Sequence, residues 1–211
     1  MSKYPIFLEL TGKRVVIIGG GEVAARKAQA LYNCGAHIAI VAIQINPQLE
    51  KLCSQGNIEL IASEYTRTCL TGATLIIAAT DNHKLNEQVY NDCRKQGILC
   101  NVVDEPELCD FFVPAVVKQG PLQIAISTDG LCPAYAARIR KKLEKIFTAQ
   151  YKQFLVELGK IRKQIISRIH DKQARKILLD ELTDDDSFEF FTKQGPQAWQ
   201  NRAAQKINEL Q

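Results

Sequence analysis

Residues 14–24 read Arg-Val-Val-Ile-Ile-Gly-Gly-Gly-Glu-Val-Ala, and the fold of the N-terminal half follows from them. The apolar run of residues 14–18 predicts a strand that is buried on both faces. Gly19, Gly21 and Ala24 then fit the pattern G-x-G-x-x-A, whose first glycine permits a tight turn and whose second lets backbone approach a pyrophosphate. Because the match follows a strand and opens a helix, it predicts dinucleotide binding, with a purely structural turn as the alternative. The predicted cofactor-binding residues here are Gly19, Gly21, Glu22, Val23 and Ala24.

Apolar runs alternate with helical patterns throughout the first 113 residues. Strands that are buried on both faces and separated by helices predict a parallel sheet with right-handed crossovers, a Rossmann-like doubly wound α/β domain. The predicted strands are residues 14–18, 37–41, 58–61, 74–79 and 98–103, and the predicted helices are residues 22–33, 47–55 and 82–95.

The pattern changes after this domain. Residues 111–117 and 122–127 predict two strands joined by a turn, and the chain from Pro133 onward is almost wholly helical in pattern. Thr183 is the predicted N-cap before the acidic run that follows it. We therefore predict three parts, which are a dinucleotide-binding domain (1–113), a small β-containing region (114–149) and a helical C-terminal domain (150–211).

Length and composition are those of an ordinary globular protein, with 211 residues, 46% hydrophobic and 24% charged. No apolar run approaches the roughly 20 residues that span a bilayer, and Glu9 interrupts the only apolar stretch near the start. We therefore expect a cytoplasmic protein without membrane contact. The 7 cysteines form no Cys-x-x-Cys pair, so we expect no structural metal site.

Positive charge is concentrated in residues 138–176. This segment contains 13 lysines and arginines and only 3 acidic residues, which gives it a net charge of +10. This excess predicts an anionic partner, which could be nucleic acid, an acidic membrane surface, or a polycarboxylate or polyphosphate ligand. A merely solvated helix face is the alternative.

Three other strand ends carry polar candidates, because ligands of such sheets lie outside the carboxyl ends of the strands. Ile43 and Gln44 follow the second strand where a ribose-binding acid is usual, and the absence of nearby Lys or Arg favours NAD over NADP. Thr80 and Asp81 follow the fourth strand and could line the nicotinamide side. Asp104 ends the fifth strand and is placed for proton chemistry, unless it only caps the next segment. The histidines, His37, His83 and His170, form no catalytic constellation by their spacing.

An ordered set of segments resembles the siroheme synthase family, that is, precorrin-2 dehydrogenase/sirohydrochlorin ferrochelatase. The resemblance is close over residues 4–150 and loose over the helical tail. The segments are Pro5-Ile-Phe, Gly19 to Lys27, Ala78-Ala-Thr-Asp81, Asn101 to Pro106, Phe111-x-x-Pro114 and Ser127 to Pro133.

This resemblance implies that NAD+ oxidises precorrin-2 to sirohydrochlorin, that ferrous iron is inserted as a substrate to give siroheme, and that the protein is a homodimer with residues 114–149 as its dimerisation region. It places the family's catalytic aspartate at Asp104. Because the sequence ends at residue 211, we expect another protein to perform the preceding methylation. The substrate-binding residues that we assign from the resemblance are Asn101, Ser127, Thr128 and Arg138.

Two features depart from the family pattern, in which the loop after the second hairpin strand reads close to Ser-x-Gly-Gly-x-Ser-Pro. Here Asp129 replaces a glycine and Cys132 replaces a serine. Some relatives only dehydrogenate, so a dehydrogenase without chelatase activity is one alternative. An NAD(H)-sensing regulatory dimer is a second alternative. A nucleic-acid-binding protein is a third, although the basic helices lack the interleaved aromatics that would favour it.

Overall fold

The chain divides into two units, Met1–Val113 and Pro114–Gln211. A computed structural model describes residues 3–56 and 58–210. The first unit holds the predicted parallel sheet and the second holds a hairpin and the C-terminal helices. The finer division of residues 114–211 into two domains stays a prediction.

Five parallel strands in the order β3-β2-β1-β4-β5 form the sheet of the first unit. The order reverses between β1 and β4, and the loops that leave these two strands therefore border the crevice in which such folds bind ligands. The predicted Rossmann-like class is confirmed. The strands are β1 Arg14–Ile18, β2 His37–Val41, β3 Ile58–Ala62, β4 Leu75–Ala78 and β5 Leu99–Val102, and the helices are α1 Glu22–Tyr32, α2 Pro47–Ser54 and α3 His83–Gln96, with 3-10 turns at Arg67–Leu70 and Pro106–Leu108.

Alternate residues of β1 enter two separate cores, which explains its unbroken apolar run. Val15 and Ile17 pack into the core that includes α1 and α2, while Val16 and Ile18 pack into the core that includes α3. Asn82 caps α3 by accepting a hydrogen bond from the amide of Leu85 (3.1 Å).

The second unit begins with an antiparallel hairpin and continues as helices. Its aromatic core is centred on Trp199, which is fully buried among Phe154 and Phe191. The elements are β6 Ala115–Gln119, β7 Leu122–Ile126, α4 Pro133–Ile146, α5 Ala149–Arg168, α6 Lys172–Leu182, α7 Asp185–Gln194 and α8 Pro196–Glu209.

Two local predictions were wrong. The strand predicted from residue 111 begins only at Ala115, because the Phe111 carbonyl accepts a hydrogen bond from Asn101 (2.9 Å) and Pro114 has no amide hydrogen for a ladder. Thr183 ends α6, whereas Asp184 is the N-cap of α7 and accepts a hydrogen bond from the amide of Ser187 (2.7 Å).

Candidate active site

The glycine turn, residues 19–21, joins β1 to α1, and neighbouring backbone determines its shape. A Cβ added to Gly19 would lie 2.2 Å from the carbonyl oxygen of Ala79, and one added to Gly20 would lie 1.9 Å from that of Gln44. Gly19 also has a φ of 124°, which other residues rarely adopt. The first two glycines are therefore required by the chain segments that leave β2 and β4.

Gly21 differs from Gly19 and Gly20 because open space lies where its Cβ would be. A Cβ added there would meet no atom within 4 Å among the residues that the structure describes. Gly21 is the N-cap of α1, Glu22 beside it is exposed, and Ala24 is fully buried against the sheet. The first amides of a helix have no partner inside the helix, so they can bind an anion. The turn thus fits the pyrophosphate of a dinucleotide.

The segment after β2 places two exposed side chains beside the glycine turn. Ile43 is 79% exposed, and Gln44 is exposed as well. The amide of Asn46 donates a hydrogen bond to the carbonyl of Gly20 (2.8 Å), which joins this segment to the turn. Neither exposed side chain is a carboxylate, so a neutral amide is the polar group available for a ribose.

The Thr80 turn, residues 79–82, follows β4. The Thr80 hydroxyl donates to the side-chain oxygen of Asn86 (2.7 Å), and the Asn86 amide nitrogen donates to the Thr80 carbonyl (2.9 Å). Asp81 is exposed at the tip of the turn. The turn is therefore held by a side chain of α3.

The Asp104 turn, residues 103–106, follows β5. Asp104 is exposed and has a φ of 62°, a left-handed conformation that is uncommon outside glycine. Its carboxylate accepts no hydrogen bond from residues 3–56 or 58–210, and the N-cap of the next 3-10 turn is Glu105. A capping role for Asp104 is thus not what the structure shows, and the carboxylate is available for chemistry.

Cys109 and Asn101 hold the Asp104 turn from behind. The single proton of the Cys109 thiol is shared between the carbonyls of Val102 (3.1 Å) and Glu105 (3.3 Å). The buried Asn101 amide donates to the Cys109 sulfur (3.3 Å) and to the Phe111 carbonyl. Both N–H groups of the Asn101 side chain therefore donate to atoms of the first unit. This geometry favours a positioning role for Asn101. A direct contact between Asn101 and substrate stays a prediction.

Two charged groups lie near the Asp104 turn. The half-buried Lys27 of α1 has a pKa below its usual value, because burial and the neighbouring Arg26 outweigh the opposite effects of Cys109 and Asp104. His83 Nδ1 lies 2.7 Å from Glu105 Oε2, and this hydrogen bond and the Glu105 charge raise the pKa of His83. Neither residue was predicted to have a role. Helical spacing from Ala24 could have indicated Lys27, because residues three apart lie on the same side of a helix.

Ser127, Thr128 and Arg138 belong to the second unit, whereas the predicted cofactor residues and Asp104 belong to the first. The Ser127 hydroxyl accepts from the amide of Asp129 (3.1 Å), and the Thr128 hydroxyl accepts from the amide of Cys132 (3.3 Å). Asp129 has a φ of 55°. Arg138 is exposed on α4.

The basic residues of α4, α5 and α6 are nearly all exposed, so the charged region of the sequence forms a positive surface on the second unit. Among the described residues, no helix has the length and apolar content to cross a membrane. Nor do those residues include a group of three or more His, Cys, Asp or Glu suited to hold a metal ion.

Each of the two units contains a match to a known protein family. Residues 6–115 match the model of an NAD(P)-binding family, and residues 119–146 match the model of the central part of sirohaem biosynthesis proteins. The chain belongs to the siroheme synthase family. The family match confirms the prediction of a dinucleotide-binding domain and supports NAD as its cofactor.

Relatives of this family match almost the full chain. Siroheme synthase 3 of Aeromonas hydrophila is 34% identical over 207 residues, which cover 98% of this chain and 44% of that protein. The siroheme synthase of Pseudomonas fluorescens is 40% identical over 182 residues, which cover 86% of this chain and 39% of that protein. The chain thus spans less than half the length of these relatives.

One solved structure is similar to this chain over almost the full length of both proteins. SirC, a precorrin-2 dehydrogenase, superposes with a TM-score of 0.79 at 26% identity, covering 98% of this chain and 100% of that one. The similarity includes the sheet, the hairpin and the C-terminal helices.

Proposed function

We propose that the protein oxidises precorrin-2 to sirohydrochlorin with NAD+ and then inserts ferrous iron to give siroheme. The observation that carries the proposal is the Asp104 carboxylate, which is exposed at the carboxyl end of β5 in the same unit as the glycine turn. The family match and the full-length similarity to a precorrin-2 dehydrogenase support it.

The first unit provides the cofactor site in this proposal. The backbone at Gly21 and the first turn of α1, from Glu22 to Ala24, bind the pyrophosphate. Ile43 and Gln44 bind the adenosine half, with Gln44 as the neutral donor and acceptor for ribose hydroxyls. Thr80 and Asp81 line the nicotinamide half. When bound, NAD+ supplies a two-electron acceptor that takes up a hydride.

Asp104 is the proton acceptor in this proposal. Dehydrogenation of precorrin-2 removes one hydride and one proton, and the carboxylate takes the proton. Metal insertion releases two pyrrole N–H protons from sirohydrochlorin as ferrous iron enters, and the same carboxylate can accept them in turn. The macrocycle supplies the nitrogen ligands, so the protein needs no resident metal for this step.

The second unit provides the substrate contacts in this proposal. Precorrin-2 and sirohydrochlorin each carry eight carboxylates, and the positive surface of α4 to α6 is complementary to them. Ser127, Thr128 and Arg138 are the proposed contacts. Asp129 adds a negative charge to the same loop, which opposes the binding of these anionic substrates. A dehydrogenase without chelatase activity is the second candidate function.

We also propose a cytoplasmic homodimer in which residues 114–149 form the dimerisation region and residues 150–211 a helical domain. Leu131 is 90% exposed, and Val116, Tyr135 and Ile146 are exposed as well. Apolar exposure of this kind marks an interaction surface. Light scattering checks the proposed assembly, and a monomer at all concentrations would contradict it.

The test of the activity is a two-stage incubation followed by visible spectroscopy. Precorrin-2 and NAD+ come first, and sirohydrochlorin with Fe2+ or Co2+ comes second. Change in both stages supports the full proposal, and change in the first alone supports the dehydrogenase. Change in neither, with NADH still bound, would favour the NAD(H)-sensing dimer. Salt-sensitive binding of nucleic acid without tetrapyrrole chemistry would favour the third alternative.

A further inference from the structure

The side chain of Asn86 forms both of its hydrogen bonds with Thr80. It lies on α3, is only 3% exposed, accepts from the Thr80 hydroxyl and donates to the Thr80 carbonyl. The reverse orientation of the amide would bring two acceptors together, so the bonding pattern fixes it. A buried polar side chain whose two hydrogen bonds both go to the preceding turn holds that turn in one conformation.

The Asn86 side chain does not cap α3. Asn82 already caps the helix through its side chain, and the Asn82 carbonyl accepts the amide of Asn86 (3.0 Å). The side chain of Asn86 therefore adds no hydrogen bond to the helix itself. What it determines is the position of Thr80.

The position of Thr80 matters because the Thr80 turn packs directly against the glycine turn. The Cβ that Gly19 lacks would lie 3.3 Å from the Thr80 amide nitrogen as well as against the Ala79 carbonyl. The Ala79 amide donates to the Ile18 carbonyl (2.7 Å), which joins the two segments. A shift of Thr80 would therefore change one wall of the crevice at the start of the glycine turn.

We propose that Asn86 is a positioning residue for the dinucleotide, acting through Thr80, an inference that rests on the proposed function. Asn86 also determines what Thr80 can offer. The Thr80 hydroxyl lies closer to the Asn86 oxygen (2.7 Å) than to its other acceptor, the Asn82 carbonyl (3.3 Å), so its proton goes to Asn86. The hydroxyl oxygen accepts the Asn82 amide (3.2 Å). The remaining lone pair can only accept, which suits an N–H donor such as a carboxamide.

The test replaces Asn86 by Leu, which keeps a similar size and removes both bonds. We expect the Kd for NADH, measured by fluorescence titration, to rise about tenfold, because Thr80 is no longer held in place beside the glycine turn. Amide hydrogen exchange at residues 80–82 should become faster. Asn91→Leu, at an exposed position of the same helix, should keep the wild-type Kd. Val89→Ala should lower the melting temperature and keep the Kd, which separates positioning from stability.

A double-mutant cycle with Thr80→Val tests whether Asn86 acts through Thr80. In that background, Asn86→Leu should weaken NADH binding less than it does alone, because only the bond to the Thr80 backbone carbonyl is left to lose. Fully additive effects, or a wild-type Kd in folded Asn86→Leu, would overturn the inference. If Asn86→Leu does not fold, Asn86→Ser is interpreted in the same way. A wild-type protein that binds NADH without oxidising precorrin-2 refutes the reaction alone, whereas one that binds no NADH refutes both proposals.

Discussion

The two units hold their candidate ligand-binding groups by different means. In the first unit, other elements fix the turns: Asn86 of α3 holds Thr80, and His83 of α3 pairs with Glu105. In the second unit, the hydroxyls of Ser127 and Thr128 accept amides of their own loop. The first unit is therefore preorganised for a cofactor, whereas local bonds order the second unit's loop. We expect binding to change the second unit more than the first.

The largest expected effect is that of Asp104→Asn. Asparagine tolerates a φ of 62° and keeps the shape of the side chain, so the turn should survive while the proton acceptor is lost. The initial rate of precorrin-2 oxidation should fall by about 10²–10⁴-fold. NADH titration should give the wild-type Kd.

Asp104→Ala is the companion variant. It removes the same carboxylate but adds about 1 kcal/mol of backbone strain, so it should melt below Asp104→Asn. Near wild-type turnover by either variant would contradict the role of Asp104 as the proton acceptor. The first unit would then have only a proposed cofactor site.

The next effect separates two glycines of one turn. Gly20→Ala should lower the free energy of unfolding by about 1–3 kcal/mol, because its Cβ would overlap the Gln44 carbonyl. Gly21→Asp should fold normally but lose NADH binding, since its side chain points into the open space and carries a negative charge. Melting curves and NADH titration of both variants check this contrast. Equal loss of stability in the two variants would contradict it.

The glycine pattern shows what the sequence could and could not predict. Strands such as residues 14–18 were predictable, because burial on both faces leaves an unbroken apolar run. The pattern G-x-G leaves Gly20 unspecified, yet the carbonyl of Gln44 leaves no room for a Cβ there. The Asn86–Thr80 pair lies within the β4–α3 connection, but no pattern in the sequence indicates that this asparagine bonds back to Thr80. The His83–Glu105 pair could not be predicted, since only the pairing of β4 with β5 brings α3 and the Asp104 turn together.

A smaller effect tests whether the second unit can be weakened by itself. Trp199 is fully buried, and its Nε1 donates to the Ser187 hydroxyl (2.8 Å). Trp199→Phe should cost about 2 kcal/mol, because it leaves a cavity and an unpaired hydroxyl acceptor. The proposed cofactor contacts all lie in the first unit, so the Kd for NADH should stay at the wild-type value at temperatures below the transition. Loss of NADH binding there would show that the two units depend on each other.

The smallest expected effect concerns His83, which ties α3 to the Asp104 turn through Glu105. Because Glu105 raises the pKa of His83 above its ordinary value of 6.5, the pair stabilises the fold fully below that value. This stabilisation is lost as the pH rises through the raised pKa. The Glu87 charge acts on His83 in the same direction. The melting temperature of wild type should therefore exceed that of His83→Gln most at about pH 6 and least at about pH 9.

Two variants make this measurement specific. Glu105→Gln removes the partner carboxylate and should show the same dependence on pH. His37→Gln changes an exposed histidine at the amino end of β2, away from the pair, and is the matched control. The effect should be small because exposed ion pairs contribute little. A difference between wild type and His83→Gln that grows with pH would mean that the protonated histidine does not stabilise the Asp104 turn, and that Cys109 and Asn101 hold it without help from α3.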